Sequence, residues 1–422
     1  MNEDFIHYLW KFKKLSGMPL HTTTGEQVVI KNLGTHNHHA GPDFFNAQVH
    51  IGKQHWAGNV EMHLKSSDWY VHGHDDDPAY DNVILHVVWT HDAEISRRDE
   101  VHIPVLEVSN YVPKELIAGY QRLFAVKNDQ FINCDKQLTT VDSFRTMQWF
   151  EKLFIERLEQ RAVRIQELLV QQQNDWEAVF FQLLCRSFGT KVNADAFENL
   201  SRSIEQQSLR KLAKDAFQLE ATFLGQAALL EEPRQDSYYQ QLVVEFAFAR
   251  AKYNLQPAAI PMKFFRLRPA NYPTVRLSQL AMLYHRNPQL FGEVLLAKTK
   301  EEIYKLFDVQ AATYWDDHHV FDKKTDARAK TLTPDFIDLL IINCIVPLRF
   351  VYAQAMGKDK IEELLELMQT VTAEKNTIIA GFKKMIPVKD ALTSQAVLQL
   401  KPHYCDVNRC LHCDIGISLL QD

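Results

Sequence analysis

The stretch "GPDFFNAQVHIGKQHWAGNVEMHLKSSDWYVHGHDDDPAYDNVILHVV", residues 41–88, decides how this chain is read. Two β-rich runs, 44–51 and 55–64, flank Gly52-Lys53-Gln54, which reads as a hairpin turn. A third run, 82–90, follows a polar interval. In that interval Asp68-Trp69-Tyr70-Val71 starts a helical turn, and Pro78 stands where a second one would begin. Further strands are expected at 27–30 and 102–108. A short helix is expected at 5–15, with Phe5, Ile6, Leu9, Trp10 and Phe12 along one face.

Past residue 140 the period changes. SFRTMQWFEKLFIERLEQRAVRIQELLVQQQ, residues 143–173, carries apolar residues three and four apart, and helical segments follow at 175–188, 207–230, 236–254, 276–297, 334–356, 360–371 and 376–384. Between the two regimes KNDQFINCDKQLTT, 127–140, has no periodicity. The expected fold class is α+β. A mixed α/β domain with a central β-sheet spans 1–130, and a mainly α-helical domain spans 140–422 and ends in a cysteine cluster.

Composition narrows the class. With 422 residues, 46% of them apolar and 24% charged, the chain reads as a soluble globular protein of two domains. The opening MNEDFIHYLWKFKKL lacks a signal-peptide pattern, so a cytoplasmic location is expected. The run FIDLLIINCIVPLRFVYA, 336–353, has the length of a membrane span. It also contains Asp338, Asn343, Pro347 and Arg349, so it reads as a buried helix, and no membrane partner is expected. Residues 1–125 hold ten Lys/Arg and sixteen Asp/Glu, which accounts for the whole net charge of −6. An acidic lobe suits a cation and argues against a broad electrostatic grip on nucleic acid.

The same lobe holds thirteen of the eighteen histidines. Alternation along a strand puts Glu61, His63 and Lys65 on one face and Val60, Met62 and Leu64 on the other. Asp43 opens the preceding strand, so a hairpin would bring its carboxylate to that of Glu61. Two adjacent carboxylates call for a cation, and Mg2+ or Mn2+ is expected on Asp43 and Glu61, with His63 or Lys65 beside it as the proton-transfer or polarising group. His72-Gly73-His74 is a candidate transition-metal pair, and His36, His38 and His39 stand close to Asp43 in sequence. Each of these residues also has a plainer role open to it: a turn cap for Asp43, a solvated strand position for Glu61, a polar loop for the histidines.

The order of helix, strands with Pro42-Asp43 before one and Glu61 in the next, helical turn and further strand resembles the restriction-endonuclease-like PD-(D/E)xK nucleases over about 100 of the 422 residues. That resemblance implies a nuclease fold with Asp43 and Glu61 on the metal. Glu3 lies where some members carry an extra acidic ligand, and His63 stands where the family has lysine. From end to end the chain is similar to an uncharacterised bacterial family, a domain of unknown function. The matching stretches are GTHNHHAGPDFFNAQ, GNVEMHLKSSDW, HGHDDDPAYDNVILHVV, RLRPANYPTVR and the C-terminal cysteines.

HYCDVNRCLHC places Cys405, Cys410 and Cys413 within nine residues, and Cys134 or a neighbouring histidine could complete a four-ligand site. Zn2+ or an iron–sulfur cluster fits such a set, and core filling is the plainer alternative. Arg266, Arg268 and Arg276 flank a Pro-rich loop and could hold phosphate, or could anchor the loop. The function these features suggest is a metal-dependent phosphodiesterase or nuclease-like enzyme acting on nucleic acid. Two alternatives are a β-sandwich binding metal or carbohydrate, with Trp56 and Trp69 on its face, and a non-catalytic scaffold for a protein partner.

Overall fold

The computed structural model describes residues 1–37, 39–125, 130–256 and 258–421. The chain is α+β and divides into two compact units. One comprises residues 1–146 and 402–422, the other residues 147–401.

In the first unit, α1 spans Glu3–Lys11, two residues earlier at its start than the apolar face suggests, because Asn2 accepts the Phe5 N–H and caps it. It stops before Lys13, whose φ of 51° is left-handed. Seven strands follow: β1 Leu20–His21, β2 Gln27–Asn32, β3 Thr35–His36, β4 Phe44–Ile51, β5 Gln54–Lys65, β6 Val83–Thr90 and β7 Val105–Glu107. Their order is β1-β2-β4-β5-β6-β7, with β3 on β4. The strands from β1 to β5 pair antiparallel, whereas β5–β6 and β6–β7 are parallel. Thr23 N–H donates to the Val105 carbonyl at 2.9 Å, which joins the two ends of this order and nearly closes the sheet into a barrel. An all-antiparallel meander, which the β-sandwich alternative required, is not what these strands form.

The interior is filled by Val28, Phe44, Val49, Val60, Met62 and Val87, with Ile6 and Trp10 of α1 packed into it. Alternation therefore put Val60 and Met62 on the inner side, as expected. Gly52 turns the β4–β5 hairpin at φ 58°. Gly58 serves a different need. A Cβ there would meet Ile84 Cγ2 at 2.4 Å and the Asn82 carbonyl at 2.7 Å, so only glycine lets β5 lie this close to β6. After β5 come the single turn α2, Asp68–Val71, and a 3-10 turn at Pro78–Tyr80 capped by Asp77. Both match the sequence reading. On the outer side of the sheet Trp69, Tyr80, Val83, Val88, Ile95 and Ile103 form a second cluster. Trp69, expected on an open binding face, is fully buried there.

The boundary differs from the sequence reading. Ile132 and Leu138, in the stretch without periodicity, are buried, and the first unit runs to residue 146. The C-terminal cysteines also leave the helical domain to which they were assigned. Helix Asp414–Gln421 packs Leu420 and Ile417 with Leu116, Tyr120 and Leu123 of α3, Lys114–Phe124, and with Phe5 and Leu9 of α1.

The second unit is mostly helical. Its helices at Thr190–Arg202 and Ala391–Leu400 escaped the periodicity reading; nine of the ten residues of the latter are buried, so it shows no polar face. The helical run Pro334–Ala355 is long and apolar enough to cross a membrane, yet 83% of its apolar window is buried within the protein. Cys185 and Cys344 are core residues of this unit.

Candidate functional site

Asp43 and Glu61 are brought together by backbone bonds. The Asp43 N–H donates to Glu61 Oε2 at 3.1 Å, and the Met62 N–H donates to Asp43 Oδ2 at 2.9 Å. This exchange is possible because Phe44 pairs with Val60 across the β4–β5 hairpin. It leaves Glu61 Oε1 pointing at imidazoles. His74 Nε2 lies 3.4 Å from it and His63 Nε2 3.6 Å from it. His72 Nδ1 is 3.0 Å from His63 Nε2. The ligand atoms of His63, His72 and His74 all lie within 4.8 Å of one another.

The rings are held from behind. His63 Nδ1 is 2.8 Å from Nε2 of His86, the residue opposite Glu61 on β6. With Nδ1–H donated to His86, the Nε2 lone pair of His63 faces Glu61, the tautomer a metal ligand needs. His74 stacks on Tyr80 at 3.7 Å and meets Trp69 edge-on. On the other side of Asp43, His7 of α1 places Nε2 3.2 Å from Asp43 Oδ2.

Electrostatics follow from burial. Burial, and then the charge of Asp43, push the Glu61 carboxyl up to about 9. Glu3 is raised by burial and by Asp43 as well. Burial lowers His63 to about 4, helped by His72 and His74, and burial also lowers His74. His86 is pushed well below its ordinary value by burial and by His63. Burial opposes a charge on His7, but Asp43 and the nearby Asp4 and Glu3 outweigh it and raise its pKa. The charge of Asp43 thus bears on both Glu61 and Glu3, and a dication beside Glu61 would relieve that repulsion.

The donor set can accept such an ion. The Glu61–His74 and Glu61–His63 separations exceed hydrogen-bond length and match the about 3.4 Å between two donors on a tetrahedral ion with bonds of about 2.1 Å. Asp43 and Glu61 are joined through backbone amides; His63 and His74 approach Glu61, His72 approaches His63, and Asp43 is taken up by His7 and the Met62 N–H. Three residues sequence reasoning passed over are His7, His86 and Tyr80. Glu3 and His7 stand four apart on one helix, a spacing that shares a face and could have signalled the first of them.

Other candidates are placed elsewhere. Lys65 is exposed, and its charge acts on Asp92, whose pKa is lowered mainly by the Ser67 N–H. His36 stacks on Phe44 and meets His7 edge-on; the His39 N–H is tied to Asn37, and His38 lies outside the described residues. Arg276 is buried, with its guanidinium donating to Gln279 and Asn271 and lying 3.5 Å from the Phe336 ring centroid. It anchors its loop and is closed to phosphate. Arg266 and Arg268 are exposed.

A family model described as a protein of unknown function, DUF2851, matches residues 3–377. The chain belongs to that family. The span matched to DUF2851 contains Glu3, His7, Asp43, Glu61 and the four imidazoles of the cluster, and it ends before Cys405. Searches of curated proteins and of solved structures returned no match.

Proposed function

We propose that the first unit is a metal-dependent phosphodiester hydrolase of the nuclease type. The observation that carries this reading is the meeting of Asp43 and Glu61 with His63, His72 and His74 around the central strand β5. The order of elements supports it further. A helix precedes the β4–β5 hairpin, Asp43 precedes the first of its strands, Glu61 lies in the second, and β6 runs parallel to β5 after a short helix. That order resembles the plan of the PD-(D/E)xK nucleases, with an imidazole in place of their lysine.

Glu61, His63, His72 and His74 would hold a divalent cation. Imidazoles suit Zn2+ and carboxylates suit Mg2+ and Mn2+, so the mixed set shifts preference away from Mg2+ alone. When bound, the ion supplies a Lewis acid toward a phosphoryl oxygen and acidifies water. Asp43 orients Glu61 through its amide, and His86 orients His63. His7, next to Asp43 and raised in pKa, is placed to give or take a proton. Arg266 and Arg268 are exposed on the second unit and take no part in this proposal.

The test is a cleavage assay on single- and double-stranded DNA and RNA with Mn2+, Zn2+ and Mg2+, using wild type and Glu61→Ala. Metal-dependent cleavage lost in the variant is the expected result. No cleavage by wild type with any of the ions overturns the assignment.

A further inference from the structure

The C-terminal cysteines are not absorbed by this site. Cys405, Cys410 and Cys413 share the walls of a single cavity of about 20 Å3 with Cys134, together with Asn133 and Tyr404. Four cysteines from two distant parts of the chain therefore line one void, and all six cysteines of the protein are thiols rather than disulfides. The void has room for about one atom-sized guest, since a single water needs at least about 10–15 Å3 measured this way.

The surroundings supply N–H donors to sulfur. Asn133 Nδ2 lies 3.5 Å from Cys410 Sγ. Burial pushes the Cys413 thiol up to about 12, and the backbone N–H groups of Gly416 and Ile415 act against that rise. Gly416 makes this possible: a Cβ there would come within 2.1 Å of the Cys410 carbonyl oxygen, so only a bare backbone passes this close beneath the loop. Donors aimed at sulfur stabilise thiolates, the form that binds metal.

We propose that Cys134, Cys405, Cys410 and Cys413 bind one Zn2+ as a closed structural site. Four soft thiolates with no open position are the usual donor set of structural zinc. The size of the cavity favours a single ion over an iron–sulfur cluster. The ion ties residues 402–421 to the Cys134 segment and to α1. Cys410, Leu411 and Leu420 pack with Phe5, Tyr8 and Leu9, and His412 Nε2 lies 3.5 Å from Asp4 Oδ1. The opposite side of α1 presents Glu3 and His7 to the imidazole cluster, so the zinc also steadies that helix.

Co2+ reconstitution of the full chain tests this without relying on any activity. Thiolate ligands give a near-ultraviolet sulfur-to-cobalt charge-transfer band that imidazole and carboxylate ligands do not. The expected result is a band of four-thiolate intensity in wild type, retained in His63→Ala and lost in Cys413→Ser, with zinc content falling by one equivalent in the cysteine variant. Hydrogen exchange of α1 amides should rise in that variant. The wild-type spectrum is decisive by itself if Cys413→Ser fails to fold. Absence of the charge-transfer band in wild type, or iron and sulfide bound in anaerobically purified protein, overturns the zinc assignment. Either result leaves the fate of the imidazole site to the cleavage assay.

Discussion

Replacing Glu61 with glutamine should stabilise the metal-free protein while destroying its metal site. Burial and Asp43 raise the Glu61 carboxyl from 4.5 to about 9. Without a cation the folded chain carries a proton there at pH 7, whereas the unfolded chain does not. A raised folded pKa means the native state binds more protons. Its contribution to stability is therefore complete below the unfolded value of 4.5 and is lost as pH rises toward about 9. At pH 7 the loss is set by the distance of pH 7 from the unfolded value, and it comes to roughly 3 kcal/mol; at pH 5 it is under about 1 kcal/mol. Glutamine never ionises, and its oxygen can still accept the Asp43 N–H. The metal-free variant should exceed wild type by roughly 2–3 kcal/mol at pH 7. Hydrogen exchange of chelator-treated protein, read on peptides covering β5 and β6, isolates the first unit from the second. Protection in those strands should rise on the order of 100-fold in the variant at pH 7 and change little at pH 5. Adding Mn2+ or Zn2+ should reverse the order, because only wild type gains from the ion. Equal protection of the two proteins at pH 7 without metal would refute the reasoning.

His86→Phe should leave the fold intact and weaken metal binding about 10–100-fold, because His63 loses the partner that fixes its ring; calorimetry with Mn2+ or Zn2+ measures this, and an unchanged affinity contradicts the orienting role. Gly58→Ala should cost about 1–3 kcal/mol through its clash with Ile84 and the Asn82 carbonyl, visible as faster exchange across β5 and β6. In the second unit Glu220 is buried and accepts from Tyr238 Oη at 2.7 Å and Trp315 Nε1 at 2.5 Å. Glu220→Ala strands both donors and should lower stability by about 2–4 kcal/mol in urea unfolding followed by Trp315 fluorescence. A loss under about 1 kcal/mol would show that water reaches them.

By itself the sequence determined the longer strands of the first unit and the sidedness of its hairpin, though not the helices Lys114–Phe124 and Asp414–Gln421. Side chains alternate along a strand whatever the rest of the chain does, so Val60 and Met62 could be assigned to the core and Glu61 and His63 to the other face before any contact was known. Turn chemistry was equally local, as at Gly52 and Pro78. The long helix Ser143–Gln171 was legible; Thr190–Arg202 and Ala391–Leu400, the latter buried on nearly every side, were not. Tertiary structure alone decided which polar residues meet. His7 comes from a helix, His72 and His74 from a loop, and His86 from a strand parallel to that of Glu61, and nothing in their spacing encodes a distance. It also separated Lys65 from the cluster, turned Arg276 inward, and carried Cys405, Cys410 and Cys413 back to Cys134. The physical reason is the same in each case. Local patterning reports a residue's preference for its own backbone and for burial, whereas a site is made by long-range packing, here the parallel approach of β5 to β6 at Gly58 and the seating of α1 against the sheet.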